Sequence, residues 1–170
     1  ILLRLISQPT PRRSEMPTHA RPRLLYLETP VLRSRWLTGT LSDWKPGDCV
    51  IHNHPYFGAS HSPDIGIVMP VFFDGELVGF SANTAHHVDI GAATPGLVID
   101  IPDVYAEGML LNGLKLYNEG VRNEALWKFI RDNTRVPGLV MGDLEAQIAS
   151  AELGVQRFIQ LMQTYGKDTV

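Results

Sequence analysis

The chain is poor in cysteine, holding one, Cys49, among 170 residues. One thiol makes neither a disulfide framework nor a cysteine-rich zinc site, so the simple reading is a reducing, cytoplasmic compartment. No apolar run approaches the roughly 18 residues that span a bilayer, so no membrane partner is expected. A basic excess is missing too: 15 Lys and Arg stand against 18 Asp and Glu, a formal net charge of −3. That balance argues against a nucleic-acid binder. There is no Gly-x-x-x-x-Gly-Lys-[Ser/Thr] loop and no Gly-x-Gly-x-x-Gly opening a helix, so nothing obvious cradles a nucleotide phosphate. What is present is an ordinary apolar share, 44% hydrophobic residues, in a length that forms one domain with a sizeable core.

The totals conceal a break near residue 40. Residues 1–40 contain seven Arg, no Lys and two acids, a net of +5, with five of the 12 prolines but one of the 15 glycines. Residues 41–170 hold eight bases and 16 acids, a net of −8. The first stretch carries no sustained period of 2 or 3.6, and its prolines disfavour helix. Its charge follows its apolar run, the wrong order for a secretory signal. We expect residues 1–40 to be a disordered or non-native arm and 41–170 to carry the domain. The chain begins with Ile, which fits an internal piece of a longer protein.

From Trp44 the texture turns strand-rich. Lys45-Pro46-Gly47-Asp48 reads as a turn and Cys49-Val50-Ile51 as a strand. Further on, IGIVMPVFF and ELVGFSANTA flank Asp74-Gly75, a strong short-range hairpin signal. A two-residue loop there places Phe72 opposite Leu77, Asp64 opposite Ala85 and Pro63 opposite His86. The open end thus gathers His61, Asp64, His86, His87 and Asp89. Imidazole nitrogen and carboxylate oxygen suit Zn²⁺ or Mn²⁺, and catalytic sites keep about three protein ligands plus an open position. His61, Asp64 and His86 supply three. Adjacent strand residues face opposite sides, so only one of His86 and His87 is expected to ligate. Ideal register puts Asp64 on the face of His87; a one-residue bulge, for which Pro70 marks a suitable place, would put it with His86. His52 and His54 are read as shaping the loop around Asn53. Asp89 through Gly96 forms a glycine-punctuated loop, either substrate-lining or a plain connection.

Residues 53–64 (Asn-His-Pro-Tyr-Phe-Gly-Ala-Ser-His-Ser-Pro-Asp), 85–91 (Ala-His-His-Val-Asp-Ile-Gly) and Thr94-Pro95-Gly96 resemble the hydantoinase B/oxoprolinase family. Glu107-Gly108, Lys115-Leu116 and Gly142-Asp143-Leu144-Glu145-Ala146-Gln147 extend the resemblance over roughly residues 43–166. It implies the metal-bearing subunit of an ATP-dependent cyclic-amide hydrolase, opening a hydantoin, 5-oxoproline or a lactam. Metal ligation by His61, Asp64 and His86 is implied, with Asp89 or His87 as base or supporting partner. Asn53, Tyr56, Asn83, Gly91, Thr94 and Gly96 are implied as substrate-lining. ATP would sit on a hydantoinase A-like partner subunit or domain. The family's further upstream aspartate ligand has no counterpart, since no Asp precedes Asp43; this chain alone is therefore expected to be inactive. The alternatives are a non-catalytic assembly module or gene remnant of the family, and a piece of a ketone carboxylase alpha subunit.

The remainder reads as helical. Asn123 is placed as an N-cap before Glu124, Pro137-Gly138 as ending that helix or following its end, and Asp143 as the cap of a longer helix. Leu144, Ile148, Ala151, Val155, Phe158 and Met162 form one apolar seam that marks a buried face, read as an intradomain packing surface rather than a coiled coil; in a fragment its natural cover could lie outside the chain. Tyr165-Gly166-Lys167 reads as the helix end. The fold class expected is α+β: a hairpin-based sheet over about 48–101, then packed helices over about 104–165.

Overall fold

The computed structural model describes residues 4–7, 41–95 and 100–167. The class is α+β: one antiparallel sheet backed by helices. Its strands are β1 (Arg4–Ser7), β2 (Cys49–His52), β3 (Asp64–Phe73), β4 (Glu76–His86), β5 (Leu114–Asn118) and β6 (Val121–Arg122), in the spatial order β1-β4-β3-β2-β5-β6. The helices are α1 (Glu124–Asp132) and α2 (Pro137–Tyr165). No helix among the described residues is long and apolar enough to cross a membrane.

The β3–β4 hairpin forms at Asp74-Gly75, with φ of 51° and 82°. Positive φ at both positions is the type I′ geometry that matches strand twist. The register departs from ideal within a few residues. Phe72 pairs with Leu77 but Val71 pairs with Gly79, so Val78 is an extra residue on β4. Beyond this bulge every pairing moves by one, and Asp64 comes opposite His86. Pro70 is the neighbour of the bulge and lies past the β2 ladder, which ends at Val68, where a missing N–H is tolerated.

Both sheet faces are covered, which explains the continuous apolar run of β3. Ile65, Ile67 and Met69 face the helices, in a cluster with Trp127, Ile130, Val140, Leu144, Ile148 and Ala151. Val68 faces the other side with Phe80 and Ala82, where Leu41 and Trp44 pack. The seam of α2 is covered by the sheet of this chain: Leu144, Ile148 and Ala151 lie in the main cluster, and Phe158 and Met162 pack on Val71 and Val78. This is the intradomain packing read from the seam, and no cover from outside the chain is needed for this face.

Three boundaries differ from expectation. Pro137 follows the end of α1 and itself opens α2, because a proline at the first helical position has no N–H to leave unpaired. Asp143 is therefore inside the helix, not its cap. Second, the region after residue 104 contains β5 and β6, joined at Glu119 and Gly120 with φ of 52° and 82°, another type I′ turn. Glu-Gly is a weaker hairpin signal than Asp-Gly, and β5 owes its place to the distant β2. Third, Arg4–Ser7, within the expected arm, pairs with Gly79–Ala82 of β4; the rest of residues 1–40 lies outside the described residues. Asn123 does cap α1, accepting from the Leu126 N–H at 3.2 Å, and Gly166 follows the last residue of α2 with φ of 83°.

Candidate metal centre

Strand alternation and the bulge together decide the site. Opposed residues of an antiparallel pair project to the same face, so Asp64 and His86 share the face away from α2, and His87 takes the other. His61 belongs to the turn that enters β3, closed by Asp64 N–H donating to His61 O at 3.1 Å. Its ring folds back over the strand end and stacks on His86, centroids 4.9 Å apart. The result is a tight triangle. His61 Nε2 lies 3.0 Å from Asp64 Oδ1, His86 Nδ1 lies 3.2 Å from the same oxygen, and the two nitrogens are 3.1 Å apart.

Donors that share one ion through bonds of ~2.0–2.2 Å stand about 2.8–3.6 Å apart, from right-angle to tetrahedral geometry. All three separations fall in that window. The donor set, two imidazoles and a carboxylate, is one that zinc and manganese accept. Burial alone would raise the Asp64 pKa, but the His61 charge and hydrogen bonds from His86, His61 and Ser60 outweigh it and hold the carboxyl below its usual range. Asp64 is thus an anion in neutral solution. His86 is partly exposed and Asp64 and His61 are half-buried, so solvent reaches the cluster.

Polar side chains, Asn53 and His52 buried among them, support this edge. Asn53 donates to Ser62 O at 2.7 Å and Met109 O at 2.8 Å, and accepts from Leu111 N–H at 2.6 Å. Glu107 accepts from Ser62 N–H at 2.8 Å. Together they fix the residue that follows His61. His87 N–H donates to Pro63 O at 2.9 Å, closing the strand ends. His52 bonds across its own loop to Phe57 O at 3.2 Å, and His54 packs edge-on against Phe57.

The other expected site residues fall into distinct places. His87 is buried on the α2 face, its Nε2 2.7 Å from Gln147 Oε1, and burial lowers its pKa. Asp89 is buried and engaged by Gly91 N–H at 2.9 Å, by the Arg135 N–H, and by the Arg135 guanidinium at 2.9 Å. Burial would raise its pKa, yet those N–H groups and the cation together lower it. The His87 bond lies on the sheet face opposite the triangle, and both Asp89 oxygens are already engaged. Asn53 and Asn83, expected to line substrate, are buried instead, their amides committed to backbone and to Gln147. Gly91 has φ of 80°, and a Cβ there would meet Asn133 O at 2.5 Å; its role is a close chain crossing. Tyr56 and Thr94 are exposed, and Gly96 lies outside the described residues. Gln147, Arg135 and Glu107 were not singled out from sequence as site residues. A glutamine within an otherwise apolar helical seam was the available signal for the first.

With this geometry in place the comparisons are decisive on kinship. A profile of the hydantoinase B/oxoprolinase family matches residues 24–170. This chain belongs to the hydantoinase B/oxoprolinase family. The putative B component of a D-/L-hydantoinase from Pseudomonas sp. (strain NS671) is 52% identical over 126 residues, covering 73% of this chain and 21% of that protein. The crystal structure of an ATP-dependent caprolactamase from Pseudomonas jessenii superposes with a TM-score of 0.78 and 32% identity, covering 84% of this chain and 25% of that one. Nucleotide-free acetone carboxylase gives a TM-score of 0.72 at 19% identity, covering 83% and 19%, and shares the fold. The family match begins at residue 24, ahead of the resemblance read from residue 43. The chain spans about a fifth to a quarter of the length of these relatives.

Proposed function

We propose that this chain supplies His61, Asp64 and His86 as metal ligands to an enzyme that opens cyclic amides with the use of ATP. The observation that carries the reading is the 3.0–3.2 Å donor triangle in a chain of this family. Hydantoins and lactams share a ring amide, and the named relatives include a hydantoinase component and an ATP-dependent caprolactamase. A divalent zinc or manganese ion would supply polarisation of the amide carbonyl or a bound water of lowered pKa. Asp64 contributes the negative charge, His61 and His86 the nitrogens, and the open side of the triangle faces the substrate. Exposed Tyr56 and Thr94 line that approach, while Asp89 and His87 act as supporting groups rather than as the proton-transferring base. ATP binds a hydantoinase A-like partner subunit or domain, and the complex is cytoplasmic.

Metal analysis after dialysis tests the ligand set. About one equivalent of Zn²⁺ or Mn²⁺ is expected on the chain, with loss in His61→Ala and in His86→Ala while circular dichroism is unchanged. Metal retained in both variants would sink the assignment. Turnover tests the reaction class: with ATP and hydantoins, 5-oxoproline, lactams or ketones, the chain alone is expected to be silent. Ring opening is expected once an ATP-binding partner is added. Carboxylation of a ketone under those conditions would instead support the carboxylase reading, and silence with every partner the assembly-module reading.

A further inference from the structure

Gln147 is the one polar side chain in the buried seam of α2, and it is fully buried. Placing an amide among Leu144, Ile148 and Ala151 costs free energy unless its polar atoms are paired. Here all are. Gln147 Nε2 donates to Ile65 O at 3.1 Å and to Asn83 Oδ1 at 3.0 Å. Oε1 faces His87 Nε2 at 2.7 Å, and the Gln147 main-chain carbonyl accepts from Asn83 Nδ2 at 2.7 Å.

The orientation of this network is forced. A backbone carbonyl only accepts, so the amide nitrogen must face Ile65 O and the amide oxygen must face His87. His87 must then donate through Nε2, which assigns its neutral tautomer from the network. His87 Nδ1 is left as a buried lone pair with no hydrogen-bond partner.

Two partners of Gln147 are sequence neighbours of the proposed ligands. Ile65 follows Asp64 on β3, and His87 follows His86 at the end of β4. Strand alternation sends the ligands to one face and presents Ile65 and His87 to the helix. A single side chain therefore grips the end of each ligand-bearing strand from behind. Through His87 N–H to Pro63 O, at 2.9 Å, the grip also reaches the turn that carries His61.

We propose that Gln147 is a positioning residue for the metal centre, setting the spacing of Asp64 and His86 by clamping Ile65 and His87 to α2. This rests on the metal-ligand reading above. Partners lying behind metal ligands typically contribute about 10–100-fold to metal affinity, and that is the effect expected of this clamp.

The test is Zn²⁺ affinity of the 170-residue chain, measured by competition with a chromophoric chelator well below each variant's thermal midpoint. Gln147→Met keeps the volume and removes all side-chain hydrogen bonds. Leu144→Ala is the control: it loosens the same helix–sheet contact through a cavity and leaves the clamp in place. While a variant stays folded, loss of stability alone leaves affinity within about threefold. The expected result is a 10–100-fold weaker Zn²⁺ affinity in Gln147→Met and near wild-type affinity in Leu144→Ala. If Gln147→Met does not fold, Gln147→Glu, which keeps the length and loses both donated bonds, is judged by the same criterion. Unchanged affinity in the Gln147 variant, parallel losses in both positions, or failure of both Gln147 variants to fold would overturn the proposal and leave the metal centre standing. A wild-type chain that binds no Zn²⁺ overturns both readings.

Discussion

At the scale of single residues, this protein separates carboxylates that face solvent chemistry from carboxylates that hold the chain. Asp64 is half-buried beside two imidazoles, whereas Asp89 is buried and fully committed to Arg135 and Gly91. That difference predicts a pH signature. The folded-state pKa of Asp89 is lowered, so its stabilisation is complete above the unfolded value and is lost as pH falls through the folded one. Asp89→Asn is therefore expected to destabilise by about 1.5–3 kcal/mol at neutral pH, the range for hydrogen bonds to charged groups. The gap to wild type should close below about pH 4. Urea titrations of both proteins between neutral and acid pH check this. A gap that stays constant into strong acid would show that the carboxylate charge contributes nothing.

At the scale of elements, two glycine turns carry different loads. Gly75 closes the β3–β4 hairpin at φ of 82°, and a Cβ there would meet nothing within 4 Å. Gly91 has nearly the same φ, but its Cβ would collide with Asn133 O of the α1–α2 connection. Positive φ alone costs an alanine about 1–2 kcal/mol, so Gly75→Ala should lose roughly that amount. Gly91→Ala should lose clearly more, because one of two backbones must also move. Equal urea midpoints would mean that the loop after β4 does not press on that connection. The bulge at Val78 is the other decisive element: it delivers Asp64 opposite His86, and without it the carboxylate would share a face with His87.

At the scale of the molecule, the proposed metal centre would couple ion binding to folding. A ligand that binds only the folded chain stabilises it by about 2.7 kcal/mol at a hundredfold excess over Kd. For a chain of this size that is roughly 5–10 °C in thermal midpoint. Zn²⁺ is expected to give such a rise in wild type and none in His86→Ala; identical rises would place the ion elsewhere. Residues 1–40 offer a second whole-molecule test. Among the described residues they meet the domain through β1, which pairs four residues with β4. Deleting residues 1–40 should lower the midpoint by about 2–4 °C for each kcal/mol this ladder contributes. Complete loss of cooperative unfolding would show that the boundary near residue 40 is misplaced.

The sequence by itself determined what depends on near neighbours. Asp74-Gly75 fixed a hairpin, Asn123 a helix start, and the spacing from Leu144 to Met162 a buried helical stripe. The ordered motifs from Asn53 to Gln147 carried the family and the three candidate ligands. Only the tertiary structure decided what depends on distant partners. The bulge at Val78 chose His86 over His87 as the partner of Asp64, because register is settled by packing along the whole ladder rather than at the turn. Burial turned Asn53 and Asn83 from candidate lining residues into braces, since the chain segments that cover them lie tens of residues away. β5 exists because β2 offers it an edge. Gln147 acquired its place behind the candidate ligands only when α2 crossed the sheet, where a polar group in an apolar seam must find its hydrogen bonds or forfeit stability.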